Sequence, residues 1–155
     1  MILEKGDMWS IFGKTRIFLI TTNFQRNAQG LAVMGRGIAN EAALRFPEIR
    51  EDFAKRLEDS IDLQAYDDAL HPVYTGIIGK YDGQVLGWFM TKRHWKDPST
   101  LDIIRDSVRE LKRWQDIAER IDLNFPGIGN GKLKREDVLP IIEQLPDNVH
   151  VWERE

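Results

Sequence analysis

The chain has no cysteine. Disulfides, thiolate metal sites and cysteine nucleophiles are thereby excluded, which suits a reducing compartment such as the cytoplasm. No apolar run approaches the ~20 residues that a membrane-spanning helix needs, so no membrane association is expected. The opening MILEKGDMWS carries charge too early for a secretory signal. A basic excess is also missing. The 22 Lys and Arg are outnumbered by 25 Asp and Glu, a formal net charge of −3. That argues against generic nucleic-acid binding. An anionic ligand then has to be held by local geometry rather than by the overall field. His71, His94 and His150 show no ligand spacing, so neither a metal nor a resident cofactor is expected. The chain contains no Walker loop, no dinucleotide fingerprint, no GxSxG elbow and no paired-acid constellation.

What is present is ordinary for a soluble globule: 155 residues, 42% apolar and 30% charged. That length suits one domain over residues 1–155, large enough to bury a core without staples. The sequence sets no oligomeric state.

Read along the chain, Met1 to Glu4 is a short strand, turned by Lys5-Gly6-Asp7, with a brief helical turn from Met8 to Phe12. Thr15 to Thr22 is apolar and β-branched throughout, the pattern of a strand buried on both faces. Gly35 to Phe46 reads as a helix with Ile38, Ala42, Leu44 and Phe46 inward, stopped by Pro47. Glu48 to Ser60 is a second helix, and Ile61 to Pro72 has no readable pattern. Val73 to Ile78 and Gln84 to Met90 are strands around the Tyr81-Asp82-Gly83 turn. A helix capped by Ser99, with Asp102 as its capping-box partner, runs to about Glu119. Its inward stripe is Ile103, Ile104, Val108, Leu111 and Ile117. Arg120 to Asn124 is a strand, Lys134 to Leu145 the last helix and Asn148 to Glu153 the last strand. Strands alternating with helices give an α/β fold with a mixed sheet covered on both faces.

Two glycine-rich segments stand out, each expected to follow a strand and open a helix: Met34-Gly35-Arg36-Gly37-Ile38 and Gly127-Ile128-Gly129-Asn130-Gly131-Lys132-Leu133. Such turns expose backbone N–H groups, and a following helix N-terminus adds partial positive charge. Two of them suit a diphosphate gripped from both sides; the plain alternative is a pair of tight turns. Asn23 ends a buried strand, where its amide is able to hold ribose hydroxyls or simply make a turn. The loop Thr91-Lys92-Arg93-His94-Trp95-Lys96 combines cations with an aromatic ring. Trp95 is suited to stacking on a base or sugar, and Lys92 becomes a reactive amine if desolvated; the alternative is a solvated basic loop. Trp9, Trp88, Trp114 and Trp152 read as core.

In order and spacing these pieces resemble the macrodomain family: Lys5-Gly6-Asp7, Ile20-Thr21-Thr22-Asn23, Val33-Met34-Gly35-Arg36-Gly37-Ile38-Ala39, Met90-Thr91-Lys92-Arg93-His94-Trp95 with Ser99, and Gly127-Ile128-Gly129-Asn130-Gly131-Lys132-Leu133. The resemblance implies a three-layer α/β/α fold with a mixed, mostly parallel sheet, and ADP-ribose or an ADP-ribosylated macromolecule as ligand. Asp7 would bind the adenine amino group with Met8 beside the base. Asn23 would contact the distal ribose, and the two glycine loops would wrap the diphosphate and that ribose. The chain looks most like the branch with the terminal ADP-ribose protein glycohydrolase and the antitoxins that strip ADP-ribose from DNA. That branch makes Lys92 the catalytic candidate; Asn23 is the second catalytic candidate, placing with the glycine loops the terminal phosphate if the reaction is that of a phosphatase.

There are departures. Gly131 stands where the protein-directed enzyme carries a catalytic aspartate, as in the DNA-directed enzymes. Phe24 to Leu31 is longer than in typical DNA-directed members, and Lys134-Arg135-Glu136 replaces a common aromatic. An ADP-ribosyl glycohydrolase, a phosphatase acting on ADP-ribose 1″-phosphate and a binding module without chemistry all fit this pattern.

Overall fold

A computed structural model describes residues 1–64 and 73–154, with the side chains of residues 60–64 left aside. Most of the unreadable stretch, and His71 with it, lies outside the described residues. One six-stranded sheet runs in the order β1-β6-β5-β2-β4-β3. The strands are β1 (Ile2–Lys5), β2 (Ile17–Asn23), β3 (Thr75–Tyr81), β4 (Gln84–Lys92), β5 (Ile121–Asn124) and β6 (Val149–Glu153). Every neighbouring pair is parallel except β3 with β4. That hairpin closes through Asp82 and Gly83, both at positive φ (48° and 81°), as the twist of a two-residue loop requires.

Helices α1 (Gly37–Arg45) and α2 (Ile49–Gln64), with a 3-10 turn at Met8–Ile11, cover one face. Helices α3 (Leu101–Lys112) and α4 (Arg135–Ile142) cover the other. The three layers follow from side-chain alternation in the central strands. Phe18 and Ile20 of β2, with Leu86, Trp88 and Met90 of β4, join the first core. Ile17, Leu19 and Phe89 join the second with Ile121 and Leu123 of β5. Both faces of β2 are buried, as its unbroken apolar run requires. Among the described residues, no helix is long and apolar enough to cross a membrane.

Several local expectations are corrected. Helix α2 extends to Gln64, beyond Ser60. Helix α3 ends at Lys112 and gives way to turns, so Ile117 falls off the apolar stripe and is 68% exposed. Leu44 is 74% exposed, because the inward face of α1 is set by Ile38, Ala39 and Ala42. The cap of α3 is Thr100, whose hydroxyl accepts from the Ile103 N–H. Asp102 is a first-turn acid that pairs with Arg105 at 2.8 Å, and Ser99 is free for another task.

Candidate functional site

A cleft of about 620 Å³ opens over the carboxyl ends of β2, β4, β5 and β6, where open α/β sheets collect ligands. Its floor is made of strand ends. Asn124 locks two of them together: its Nδ2 donates to Thr21 Oγ1 at 2.9 Å and its Oδ1 accepts the Thr21 N–H at 3.0 Å. Asn23 is buried in the same floor. Its Oδ1 accepts from the Gln25 N–H at 2.8 Å, and its Nδ2 donates to the Val33 carbonyl at 3.1 Å. Turn residue and cleft residue are thus one role. The amide clamps both ends of the intervening loop and keeps one N–H to spare.

The first glycine segment therefore does not follow its strand directly. The chain leaves β2, doubles back through an Arg26–Ala32 bridge, and only then enters Met34–Gly37. Met34 is buried, while Gly35, Arg36 and Gly37 are exposed. No side chain caps α1, and Gly37 sits at φ 57°. The first N–H groups of α1 are thus left for an outside partner.

The second segment also departs from expectation, since a 3-10 turn at Gly129–Gly131 precedes α4. Gly129 adopts φ 69°, a conformation that costs other residues strain. The two segments face each other: a Cβ on Gly37 would stand 3.4 Å from Asn130 Nδ2. A Cβ on Gly131 would overlap Ser99, whose own Cβ would be 3.0 Å away. The Ser99 N–H donates to the Gly131 carbonyl at 2.9 Å, so Ser99 fastens the second segment rather than capping α3.

Most of the anticipated residues share this cleft: Met8, Asn23, Met34, Gly35, Arg36, Gly37, Ile38, Lys92, Gly127, Ile128, Gly129, Asn130 and Gly131. Three do not line it. Lys132 is exposed at a left-handed φ of 63° just past the turn. Leu133 donates its N–H back to the Gly127 carbonyl and packs into the second core. Asp7 caps the 3-10 turn, its carboxylate accepting the Trp9 N–H at 3.0 Å.

Lys92 is half-buried at the end of β4, and its pKa is held below the ordinary lysine value. Burial is the main cause, and the positive charges of Arg36 and Lys132 add to it, against a smaller opposing pull from Asp97. Trp95 lines the cleft nearby with the Arg36 guanidinium over its ring, 5.1 Å from the centroid.

Sequence reasoning missed the opposite end of the cleft. Trp152 and Arg154 line it there. The Trp152 Nε1–H donates at 2.7 Å to Asp122, a fully buried carboxylate that Arg120 grips through two bonds of 3.0 Å. The signal was available. In Val149-His150-Val151-Trp152 the valines alternate into the core, which puts Trp152 on the other face. Glu153 is the one carboxylate lining the cleft among the described residues. The hydrogen-bonded Arg135 guanidinium holds its pKa below the usual carboxylate value. Glu153 is thereby tied up in an ion pair with Arg135.

No family model matches the chain. A DNA ADP-ribosyl glycohydrolase from Mycobacterium tuberculosis is 33% identical over 125 residues, 76% of this chain. The chain spans about a third (34%) of that relative's length. Among solved structures, the macrodomain of Mycobacterium tuberculosis DarG superposes with a TM-score of 0.69 at 25% identity, covering 99% of both chains. Thermosipho africanus DarTG in complex with ADP-ribose gives 0.68 at 18% identity, covering all of this chain and 42% of the other.

Proposed function

The chain is a macrodomain of the DarG branch, and on that premise we propose that its cleft binds ADP-ribose and hydrolyses the bond joining ADP-ribose to a DNA base. Lys92 carries the reading: a desolvated amine sharing one cleft with the two glycine segments, in a wall whose one carboxylate among the described residues is already paired. The opposed segments and the uncapped start of α1 take the diphosphate. Met8 and Trp152 flank the adenine end, and the spare N–H of Asn23 takes a hydroxyl of the distal ribose.

The neutral Lys92 amine attacks the anomeric carbon. An Nζ–C bond forms as the bond to the base breaks, the proton leaving Nζ passes to the departing base, and water then releases the sugar. A cysteine-free chain acting on DNA fits the cytoplasm as its place of work.

The test is release of ADP-ribose from ADP-ribosylated single-stranded DNA, run beside an ADP-ribose titration by calorimetry. Release by the intact protein and not by Lys92→Ala is expected. Binding without release reduces the protein to a binding module. Phosphate freed from ADP-ribose 1″-phosphate, with no release from DNA, makes it a phosphatase.

A further inference from the structure

Beyond the ADP-ribose cleft, we infer that Trp95 with its neighbouring cations forms a platform that stacks a nucleobase of single-stranded DNA beside the bond to be broken. The inference rests on the reading above for its position and on separate observations for its chemistry. Among the described residues, Trp95 is the one large apolar side chain of the cleft wall that stays exposed, at 38%. Arg36 covers part of its ring, which steadies the indole and leaves the remainder open. The loop is pinned from behind: the Trp95 N–H donates to Gln25 Oε1 at 3.1 Å, and the Phe24 N–H to the Arg93 carbonyl at 3.2 Å. A ring held this firmly loses little entropy on stacking.

Around it Arg93, His94 and Lys96 are all exposed, and none makes an ion pair among the described residues. Arg105, Arg109 and Arg154 have carboxylate partners, and exposed Lys14, Arg16 and Lys80 have none either among the described residues, so what sets this loop apart is the exposed ring among its cations. Cations left unpaired around an exposed aromatic ring are the composition of a single-strand groove, where bases stack on rings and phosphates meet cations. Unstacked bases are available in single strands, whereas a duplex keeps its faces covered.

The test is fluorescence anisotropy at low salt with an unmodified single strand of about ten nucleotides, using the intact protein, Trp95→Ala, Trp95→Phe and Lys96→Gln. Weak binding by the intact protein is expected, about tenfold weaker in Trp95→Ala, largely kept in Trp95→Phe, and with a shallower salt dependence in Lys96→Gln. A matching cleavage assay should show Trp95→Ala losing more on the ADP-ribosylated strand than it loses in affinity for free ADP-ribose. Absence of single-strand binding by the intact protein, or binding indifferent to Trp95→Ala, overturns the inference. So does an equal loss on an ADP-ribosylated peptide, which would assign the surface to protein. A failed ADP-ribose titration with Trp95-dependent strand binding would instead overturn the proposed function and leave the platform standing.

Discussion

Gly131 and Ser99 approach so closely that a Cβ on the glycine would overlap the serine side chain. A side chain at this position, which the family resemblance gives to a catalytic aspartate, would collide with Ser99 unless the serine shifts. Gly131→Asp should not create an acid catalyst. It should destabilise the fold by about 1–3 kcal/mol, the usual cost of overpacking, and Ser99→Gly in the same chain should recover much of that loss. Thermal melts of the two single variants and the double variant check the coupling; additive effects would contradict it.

Lys92→Ala should lower turnover by about 100-fold or more while ADP-ribose affinity changes by less than about tenfold. A nucleophilic amine acts deprotonated, and burial with the nearby Arg36 charge lowers the Lys92 pKa. The rate should thus rise with pH, levelling off below the pH at which an ordinary lysine titrates. Arg36→Gln removes one lowering charge, so its profile should move to higher pH. An unmoved profile would show that Lys92 is not the titrating group.

Gly35→Val should weaken ADP-ribose binding by at least about 100-fold with the melting temperature nearly unchanged. Nothing lies within 4 Å of a Cβ there, so the protein has room for the side chain and the ligand does not. Gly129→Glu should also abolish binding through charge repulsion, but at φ 69° it carries a strain of about 1–2 kcal/mol. Calorimetry on Gly35→Val is the cleaner measurement, and full affinity in that variant would remove the first segment from the site.

Glu110 is a half-buried carboxyl pushed up to about 7 by desolvation, which outweighs the N–H groups of Tyr74 and Thr75 that it accepts. A raised acid pKa means that the folded state holds its proton more tightly than the unfolded chain. Stability from this group is full below the unfolded value and is lost as pH rises towards 7. The melting temperature of the intact protein should fall between about pH 4.5 and 7 relative to Glu110→Gln, by a few °C in order of magnitude. Parallel melts of the two proteins across that range check it.

The sequence was informative wherever one physical signal dominated. The apolar run from Thr15 to Thr22 demanded a strand covered on both sides, and Pro47 stopped α1 where expected. Asp82-Gly83 fixed the hairpin. Reading failed where a pattern outlasted its element. Ile117 continues the helical period of α3, yet the backbone leaves the helix at Lys112. Linear motifs likewise carry no direction: Lys132 and Leu133 continue the second glycine segment, but past the left-handed residue at 132 neither lines the cleft. Trp152 packs against the first core as expected of an indole in an apolar strand, and it also lines the cleft. Its partner Asp122, thirty residues earlier, takes the indole N–H, a pairing that no local pattern in the strand announces.

The sheet order has a last consequence, for the time at which the protein becomes competent. The cleft draws its walls from Met8, Asn23, Lys92, Gly127 and Trp152, segments far apart along the chain that meet only when the parallel strands have found their neighbours. Parallel pairing of distant segments is slow and carries a high contact order. No early hairpin or helix pair holds even half of the pocket. Ligand capture should therefore report the final closure of the sheet, and ADP-ribose should slow unfolding far more than it speeds folding.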